Sequence, residues 1–222
     1  MYEIYETKER IMADNEAEAA KLRALLRENG TFMVNLMGSP GSGKTSVLIK
    51  TIERLKEKYR IAVMEADVDS SVDAETVSKL GVKVIQLHSG GLCHMDADMT
   101  ARGVDRLGIE GIDLLFLENI GNLVCPAEFD VGAALKVMIL SVPEGEDKPL
   151  KYPLMFTVSN VMLINKIDAL PVFDFDADKA LERARKLNPE IICFQISAVK
   201  DIGMEEWISW LDQKIGEWRK RL

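Results

Sequence analysis

Short apolar runs alternate along this chain with longer amphipathic stretches. The apolar runs predict β-strands at residues 31–37, 61–65, 82–87, 113–118, 132–142, 158–165 and 191–196. The amphipathic stretches predict α-helices at residues 46–59, 71–80, 95–107, 177–187 and 204–219. Because apolar strands alternate with helices, we expect an α/β fold whose mostly parallel sheet is flanked by helices on both faces. Ligands in such folds bind beyond the carboxyl ends of the strands.

A charged stretch at residues 3–29 precedes the first strand and predicts an additional helix that ends at Asn29-Gly30. We therefore expect an N-terminal helical extension over residues 1–30 and one folded domain over residues 31–222. Residues 143–153 are charged and contain prolines, which predicts a mobile loop. The last helix carries an apolar stripe that we expect to pack in the core. The residues of this stripe are Met204, Trp207, Ile208, Leu211, Ile215 and Trp218.

The composition is that of a globular protein with a substantial core. The chain has 222 residues, of which 47% are hydrophobic and 29% are charged. No apolar run approaches the roughly 20 residues that span a bilayer, and the acidic N-terminus lacks the apolar core of a signal peptide. We therefore expect a cytoplasmic protein. The net charge of −8 argues against binding to nucleic acids or anionic membranes, because both favour a positive surface.

The segment from Gly38 to Thr45 reads Gly-Ser-Pro-Gly-Ser-Gly-Lys-Thr and matches the phosphate-binding pattern G-x-x-x-x-G-K-[ST]. It lies between a predicted strand and a predicted helix, which is the context that this motif requires. Its glycines let backbone N–H groups turn towards a phosphate, and the helix N-terminus adds partial positive charge. Lys44 is expected to reach the β- and γ-phosphates, and Thr45 to offer its hydroxyl to Mg²⁺. The residues predicted to contact the nucleotide here are Gly38, Gly41, Ser42, Gly43, Lys44, Thr45 and Ser46.

A second motif indicates which nucleotide binds. Residues 165–168 read Asn-Lys-Ile-Asp after a predicted strand and have the N-K-x-D form of the guanine-reading loop of GTPases. The Asp168 carboxylate can accept hydrogen bonds from guanine N1–H and the N2 amine, which adenine does not offer. Asn165 is expected to brace the loops, and the stem of Lys166 to lie on the base. Ser197-Ala198, after the next strand, resembles the partner motif whose backbone N–H contacts guanine O6. We therefore predict GTP rather than ATP.

Two acidic residues at predicted strand ends are candidates for work at the phosphates. Acids beside a polyphosphate repel it unless a cation lies between them. Asp67 is the first candidate to hold Mg²⁺, directly or through water. Glu118 has the position of a Walker-B acid and could alternatively orient the attacking water. Asp69 and Ser70 are equally well explained as helix caps. The predicted catalytic set is Lys44, Thr45, Asp67 and Glu118.

Two cysteines and a histidine lie in loops that follow two predicted strands and are expected to leave the same edge of the sheet, so they are candidates for a second metal site. Cys93 and His94 come after the third predicted strand, and Cys125 comes after the fourth. Two thiolates and an imidazole are suitable ligands for Zn²⁺ or Ni²⁺, and water or a partner chain could complete the site. The residues alone leave open that both cysteines are buried and inert. Cys193, inside an apolar strand, is expected to be inert, and His88 has no predicted role.

Taken together, these motifs resemble the hydrogenase nickel-incorporation GTPases, the HypB family, from about residue 31 to the C-terminus. The matching blocks are residues 38–45, Glu65-x-Asp67 with Asp73-Ala74, Cys93-His94-Met95-Asp96-Ala97, Glu118-Asn119-Ile120-Gly121-Asn122-Leu123-Val124-Cys125-Pro126, residues 165–168 and Ser197-Ala198. The block at residues 118–126 is the most specific of them. The related urease-accessory GTPases carry a Cys-Pro-His motif and a different block after the fourth strand, so they fit less well.

The resemblance implies a P-loop G domain that dimerises across its nucleotides, hydrolyses GTP slowly and delivers Ni²⁺ to the large subunit of [NiFe]-hydrogenase. It implies GTP or GDP, Mg²⁺, and Ni²⁺ or Zn²⁺ as ligands. The implied partners are a second copy of the chain, the hydrogenase large subunit and a companion nickel-accessory protein. The resemblance assigns Cys93, His94 and Cys125 to a metal site near the dimer interface. Lys148 and Lys151 lie where the family has a lysine that reaches the nucleotide, and the sequence does not choose between them.

The chain also departs from the family pattern. Its only histidines are His88 and His94, so it has no His-rich nickel-storage stretch. It also lacks the N-terminal Cys-x-x-Cys-type nickel site of some family members. Ser70 replaces the family's Thr, and Thr76 replaces its usual Arg. Three alternatives stay open: a urease-type nickel-delivery GTPase, a P-loop kinase with a small acceptor, and an interaction module without a functional metal site. The N-K-x-D motif argues against the kinase.

Overall fold

The computed structural model describes residues 7–67 and 72–220, and these contain one seven-stranded sheet flanked by helices. The strands are β1 (Phe32–Gly38), β2 (Ile61–Asp67), β3 (Lys83–His88), β4 (Leu114–Glu118), β5 (Leu135–Ser141), β6 (Val161–Asn165) and β7 (Ile192–Gln195). All neighbouring strands are parallel, in the order β3-β2-β4-β1-β5-β6-β7. The predicted α/β class is therefore confirmed.

The helices cover both faces of this sheet. Those in the described part of the chain are α1 (Thr7–Glu28), α2 (Lys44–Leu55), α3 (Val72–Ser78), α4 (Ala97–Leu107), α5 (Cys125–Glu128), α6 (Lys148–Lys151), α7 (Pro153–Val158), α8 (Ala177–Leu187) and α9 (Met204–Arg219). None of these described helices is long and apolar enough to cross a membrane. The predictions at 177–187 and 204–219 have the observed bounds, whereas residues 3–6 and Ser71 lie outside the described residues.

Two sequence predictions are wrong around β5 and β6. The strand predicted at 158–165 begins only at Val161, because the apolar residues before it form α7, whose Met155 and Phe156 are buried. The mobile loop predicted at 143–153 contains a 3₁₀ turn at Val142–Glu144 and the helical turn α6. The Glu144 carboxylate accepts hydrogen bonds from the backbone N–H and the hydroxyl of Ser141 and so fixes the start of this segment.

The core consists of buried apolar layers on the two faces of the sheet. The face of α2 carries Val47, Leu48 and Ile52, which pack with the predicted stripe of α9. Trp207 of that stripe is fully buried and donates a hydrogen bond from Nε1 to Thr51 at 3.0 Å. The stripe is therefore core packing, as predicted. On the opposite face α1 buries its side chains in the same cluster as α4.

Strand order decides where a ligand can bind. β1 lies in the centre of the sheet between β4 and β5, and β2 lies beyond β4. Because all seven strands are parallel, the loops that follow β1, β2, β3 and β4 leave from one edge of the sheet. Sequence motifs that are far apart along the chain therefore meet at that edge.

Candidate functional site: a nucleotide cleft beside a thiol cluster

A cleft of about 610 Å³ opens at the carboxyl edge of the sheet. Its wall combines the glycine loop after β1 with residues from the ends of β2, β3 and β4. The lining residues include Gly41, Gly43, Lys44, Thr45, Ser46, Asp67, Glu118 and Lys166 among those predicted from the sequence. Glu65, Asp73 and Gln86 line the cleft as well. The cleft is thus built around the predicted phosphate-binding loop.

Glycine is required in this loop for two reasons. Gly43 has a φ of 94°, in the region that L-residues rarely adopt. A Cβ at Gly43 would also lie 2.4 Å from Nδ2 of Asn165, and one at Gly38 would lie 2.6 Å from the carbonyl oxygen of Ile139. The neighbouring Ser42 is buried. Close contact between the loop and the strands around it therefore excludes any side chain at these positions.

Lys44 and Thr45 begin α2 and face the acids across the cleft. The Lys44 ammonium group is largely buried and donates a hydrogen bond to the carbonyl oxygen of Ser39 at 3.3 Å. The Thr45 hydroxyl donates to Oε1 of Glu118 at 2.8 Å. The first turn of α2 thus brings a cation, a hydroxyl and a carboxylate together at the helix N-terminus, where a phosphate is favoured.

The two buried carboxyls of the cleft, Glu65 and Glu118, have strongly perturbed acidities. Burial raises the pKa of Glu65 to about 10, with a further increase from the charge of Glu118 beside it. Burial also raises the pKa of Glu118 to about 7, against the opposing effects of the Lys44 charge and the Thr45 hydrogen bond. Perturbed acids in a cleft are typical of functional sites.

The guanine-reading motif contacts the phosphate loop directly. Asn165 donates from Nδ2 to the carbonyl oxygen of Ser42 at 3.0 Å, and its Oδ1 accepts from the N–H of Ala198 at 3.3 Å. Asn165 therefore braces the loops as expected. Lys166 adopts a left-handed φ of 63° and donates from Nζ to the carbonyl oxygen of Gly41 at 2.6 Å. Asp168 follows in a 3₁₀ turn and is exposed.

Cys93, His94 and Cys125 come together a short distance from the cleft. Their potential ligand atoms all lie within 4.8 Å of one another. The two sulfurs are 2.7 Å apart, although the residues are separated by 32 positions in the chain. Cys93 Sγ is 3.8 Å from Nδ1 of His94. The sequence-based expectation that both loops leave the same edge of the sheet is therefore confirmed.

Neighbouring groups set the protonation states of this cluster. The His94 ring stacks on Phe129 with 4.0 Å between centroids, and burial lowers the pKa of His94. A neutral imidazole is the form that binds a metal. The hydrogen bond with Cys93, followed by burial, raises the pKa of Cys125, so a metal would have to displace its proton. Asn122 donates from Nδ2 to Cys125 Sγ at 3.7 Å.

Comparison with known proteins places the chain in a family. The model of the CobW/HypB/UreG nucleotide-binding domain matches residues 32–195. The hydrogenase maturation factor HypB of Azotobacter chroococcum mcd 1 is 48% identical over 93% of this chain and 68% of its own length. The chain belongs to the HypB family. The hydrogenase/urease maturation factor HypB of Helicobacter pylori strain J99 is 37% identical over 93% of this chain and 86% of its own length.

The crystal structure of a HypB protein from Helicobacter pylori in complex with nickel superimposes on this chain with a TM-score of 0.86 at 36% identity. The alignment covers 92% of this chain and 96% of that one. A similarity of this extent confirms that the chain has the fold of the HypB family.

Some residues singled out in the sequence lie apart from the two sites. Lys148 stands over the ring of Tyr152 at 5.9 Å, Lys151 pairs with Asp147 at 2.5 Å, and neither lysine lines the described cleft. Burial raises the pKa of Cys193 to about 11, so its thiol stays protonated and inert, as expected. Asp69 and Ser70 lie outside the described residues.

The sequence assigned no individual role to three residues of the site, although Glu65 and Asn122 belong to the blocks that resemble the family. Glu65 and Gln86 lie within apolar strand patterns, and only pairing between strands brings them beside Glu118. Asn122 is part of the block at 118–126, but its contacts with Gly38 and Cys125 appear only in the folded chain. A polar residue inside an apolar run was the one available signal for Glu65 and Gln86.

Proposed function

We propose that the chain is a GTP-hydrolysing metallochaperone that helps to deliver nickel to the large subunit of [NiFe]-hydrogenase. One observation carries the proposal: a single short loop joins the nucleotide cleft to the thiol cluster. The loop starts at Glu118 in the cleft and reaches Cys125 in the cluster. Between them, the N–H of Asn122 donates to the carbonyl oxygen of Gly38 in the phosphate loop at 3.1 Å. A change at the phosphates can therefore reach the metal ligands through one segment.

The charges of the cleft fit a nucleotide with a magnesium ion. Two lysines and four acidic residues line it, namely Lys44, Lys166, Glu65, Asp67, Asp73 and Glu118. The acids that are ionised would repel a triphosphate without a cation, and the hydroxyl of Thr45 with the carboxylate of Asp67 would hold that cation. When bound, Mg²⁺ supplies positive charge to the β- and γ-phosphate oxygens.

In the proposed reaction, a water oxygen bonds to the γ-phosphorus while the bond to the β–γ bridging oxygen breaks. The protons of the water pass to phosphate and solvent. Lys44 stabilises the charge that develops on the phosphate oxygens, and the exposed carboxylate of Asp168 selects guanine. None of the described arginines lines the cleft, which supports slow turnover and a timing role for GTP.

The thiol cluster is the proposed site of the metal cargo. Its ligand set of two sulfurs and one imidazole suits Ni²⁺ and also Zn²⁺. Cys93 is exposed, so a second copy of the chain, a companion nickel-accessory protein or the hydrogenase subunit can approach the metal. Because Lys148 and Lys151 lie outside the chain's own cleft, we propose that one of them reaches the nucleotide of the partner in a homodimer.

The test compares nickel binding and GTP hydrolysis in the same preparations. Cys93→Ala and Cys125→Ala are expected to weaken Ni²⁺ binding at least ~10-fold and to leave GDP binding intact. Cys193→Ala is the matched control, because this thiol lies on the far strand β7, and it should bind nickel as the wild type does. The proposal would be contradicted, and an interaction module favoured, if the wild type did not hydrolyse GTP and the cysteine variants bound nickel as tightly as the wild type.

A further inference from the structure

Three polar residues stand side by side across β3, β2 and β4 at the floor of the cleft. Gln86 pairs in register with Glu65, and Glu65 pairs in register with Glu118. Register partners on parallel strands point to the same face of the sheet, so the three side chains form one row. All three line the cleft. Of the three, only Glu118 was assigned a role by its motif.

Each residue of this row carries one buried polar atom that, with both acids ionised, has no hydrogen-bond partner among the described residues. These atoms are Nε2 of Gln86, Oε1 of Glu65 and Oε2 of Glu118. Glu65 is 3% exposed and Glu118 is 5% exposed, so bulk solvent does not supply the missing bonds. Native proteins pair nearly all buried polar atoms, and three unpaired atoms in one row therefore indicate an occupant.

The chemistry of the three atoms fits one water molecule. The amide Nε2 is a donor, the Glu118 oxygen is an acceptor, and the carboxyl group of Glu65 can accept or, when protonated, donate. A water can accept from the amide and hydrogen-bond both carboxyl groups, and buried waters typically have about three partners. A cation between the carboxyl groups would leave the amide donor facing a positive charge. A phosphate oxygen would accept from the amide but would be repelled by the charge of Glu118.

The row borders the phosphate end of the cleft. The Lys44 charge acts on both Glu65 and Glu118, and Thr45 donates its hydroxyl proton to Glu118. Lys44 and Thr45 are the two residues that the motif directs to the phosphates and the magnesium ion. A water held by the row therefore belongs to the hydration shell of the phosphate site.

We propose that Gln86, Glu65 and Glu118 hold one ordered water beside the phosphates, and that Gln86 is a positioning residue for GTP hydrolysis through this water. The inference rests on the proposed GTPase function. Gln86 contributes the only amide of the row, so its loss leaves the water between two carboxyl groups with no fixed orientation. The chemical step is slowed, whereas the nucleotide keeps its contacts with the phosphate loop.

The kinetic test uses Gln86→Leu and Gln86→Met, which remove the donor with little change in size and add no charge. Both variants are expected to lower kcat for GTP about 10-fold or more, with unchanged KM, GDP affinity and melting temperature. Gln195→Leu is the matched control, because Gln195 ends β7 and is exposed away from the cleft. A kcat of Gln86→Leu equal to that of the wild type would overturn the inference. The inference would also be overturned if Gln86→Leu and Gln195→Leu lost kcat and melting temperature to the same extent.

A crystal structure of the nucleotide-free protein at high resolution tests the water without reference to activity. We expect one water within hydrogen-bonding distance of Gln86 and both acids, and its loss in Gln86→Leu. Wild-type density without that water overturns the inference. Absence of GTP hydrolysis in the wild type would instead remove the proposed function, while the crystal structure would still decide whether the row holds a water.

Discussion

The Thr45 hydroxyl donates a hydrogen bond to Glu118 at 2.8 Å and so joins the start of α2 to the end of β4. This contact satisfies one carboxylate oxygen of Glu118, whereas the other is buried without a partner among the described residues. Glu65, the register partner of Glu118, has the same deficit. The cleft therefore holds two carboxyls in surroundings that disfavour their charge, and the stability of the protein should depend on pH.

Glu65→Gln is expected to stabilise the nucleotide-free, metal-free protein at pH 8. An unfolded Glu ionises near pH 4.5, whereas folding raises the pKa of Glu65 to about 10. Between these values the folded state binds more protons, so wild-type stability falls as the pH rises. The variant should melt at least about 3 °C above the wild type at pH 8, the shift that ~1 kcal/mol produces in a domain of this size. This advantage should shrink towards pH 5.

Thermal melting between pH 5 and pH 8 in the presence of a chelator checks this expectation. Glu190→Gln is the control, because Glu190 is exposed and should leave the pH profile unchanged. Parallel profiles for wild type and Glu65→Gln would show that burial of this carboxyl does not affect stability.

Asp168→Asn should change the base that the protein prefers. In the proposed complex the carboxylate accepts from two donors of guanine, whereas an amide in its place presents a donor to one of them. We expect GTP affinity to fall at least ~100-fold and xanthosine triphosphate to become the better ligand. Competition binding with both nucleotides measures this, with Asp174→Asn as an exposed control nearby. Retained guanine preference in the variant would mean that another group reads the base.

Gly121→Ala should weaken nucleotide binding from outside the phosphate-binding motif. A Cβ at Gly121 would lie 2.9 Å from both N and Cγ of Pro40, which is part of the phosphate loop. The rigid Pro40 ring cannot yield, so the loop must shift, and a displacement of ~1 Å is enough to cost about 100-fold in a positioned site. Titration with a fluorescent GDP analogue gives the affinity.

Gly216→Ala provides the matched control, because nothing lies within 4 Å of a Cβ at that position in α9. Alanine in an open helical position should raise stability by ~0.4–1 kcal/mol and leave GDP binding unchanged. Equal GDP affinities for the two variants would contradict the contact between Gly121 and Pro40.

Asn122→Ala should weaken the metal site and its dependence on the nucleotide. The substitution removes the Nδ2 donor to Cys125 Sγ but retains the backbone N–H that bonds Gly38. Groups that hydrogen-bond metal ligands typically affect affinity about 10–100-fold, and we expect a loss at the lower end for Ni²⁺. Nickel titrations with GDP and with a non-hydrolysable GTP analogue should differ less in the variant than in the wild type.

Asn188→Ala is the control for this experiment. Asn188 makes comparable local bonds, donating to the carbonyl oxygen of Ser159 and accepting from the N–H of Glu190, far from both sites. A variant Asn122→Ala that keeps both nickel affinity and its nucleotide dependence would show that the coupling, if present, uses another path.

Much of the molecule follows from local patterns in the sequence. The glycine loop, Asn165 to Asp168, and the strands and helices are recognisable because turn residues and side-chain periodicity act over a few neighbouring residues. The strand predicted to begin before Val161 and the mobile loop predicted at residues 143–153 were wrong because local signals compete there. The apolar run before β6 packs as a helix, and the charged segment is ordered by the carboxylate of Glu144.

The sequence by itself determined where the chain carries the G-x-x-x-x-G-K-[ST] and N-K-x-D motifs and which thiol and imidazole side chains are candidate metal ligands. Only the tertiary structure decided that Cys93 and Cys125 meet, that Asn122 joins Gly38 to the thiols, and that Gln86 and Glu65 lie in register with Glu118. The physical reason is that strand order and register depend on how the whole sheet buries its two apolar faces. No local segment of the chain contains that information.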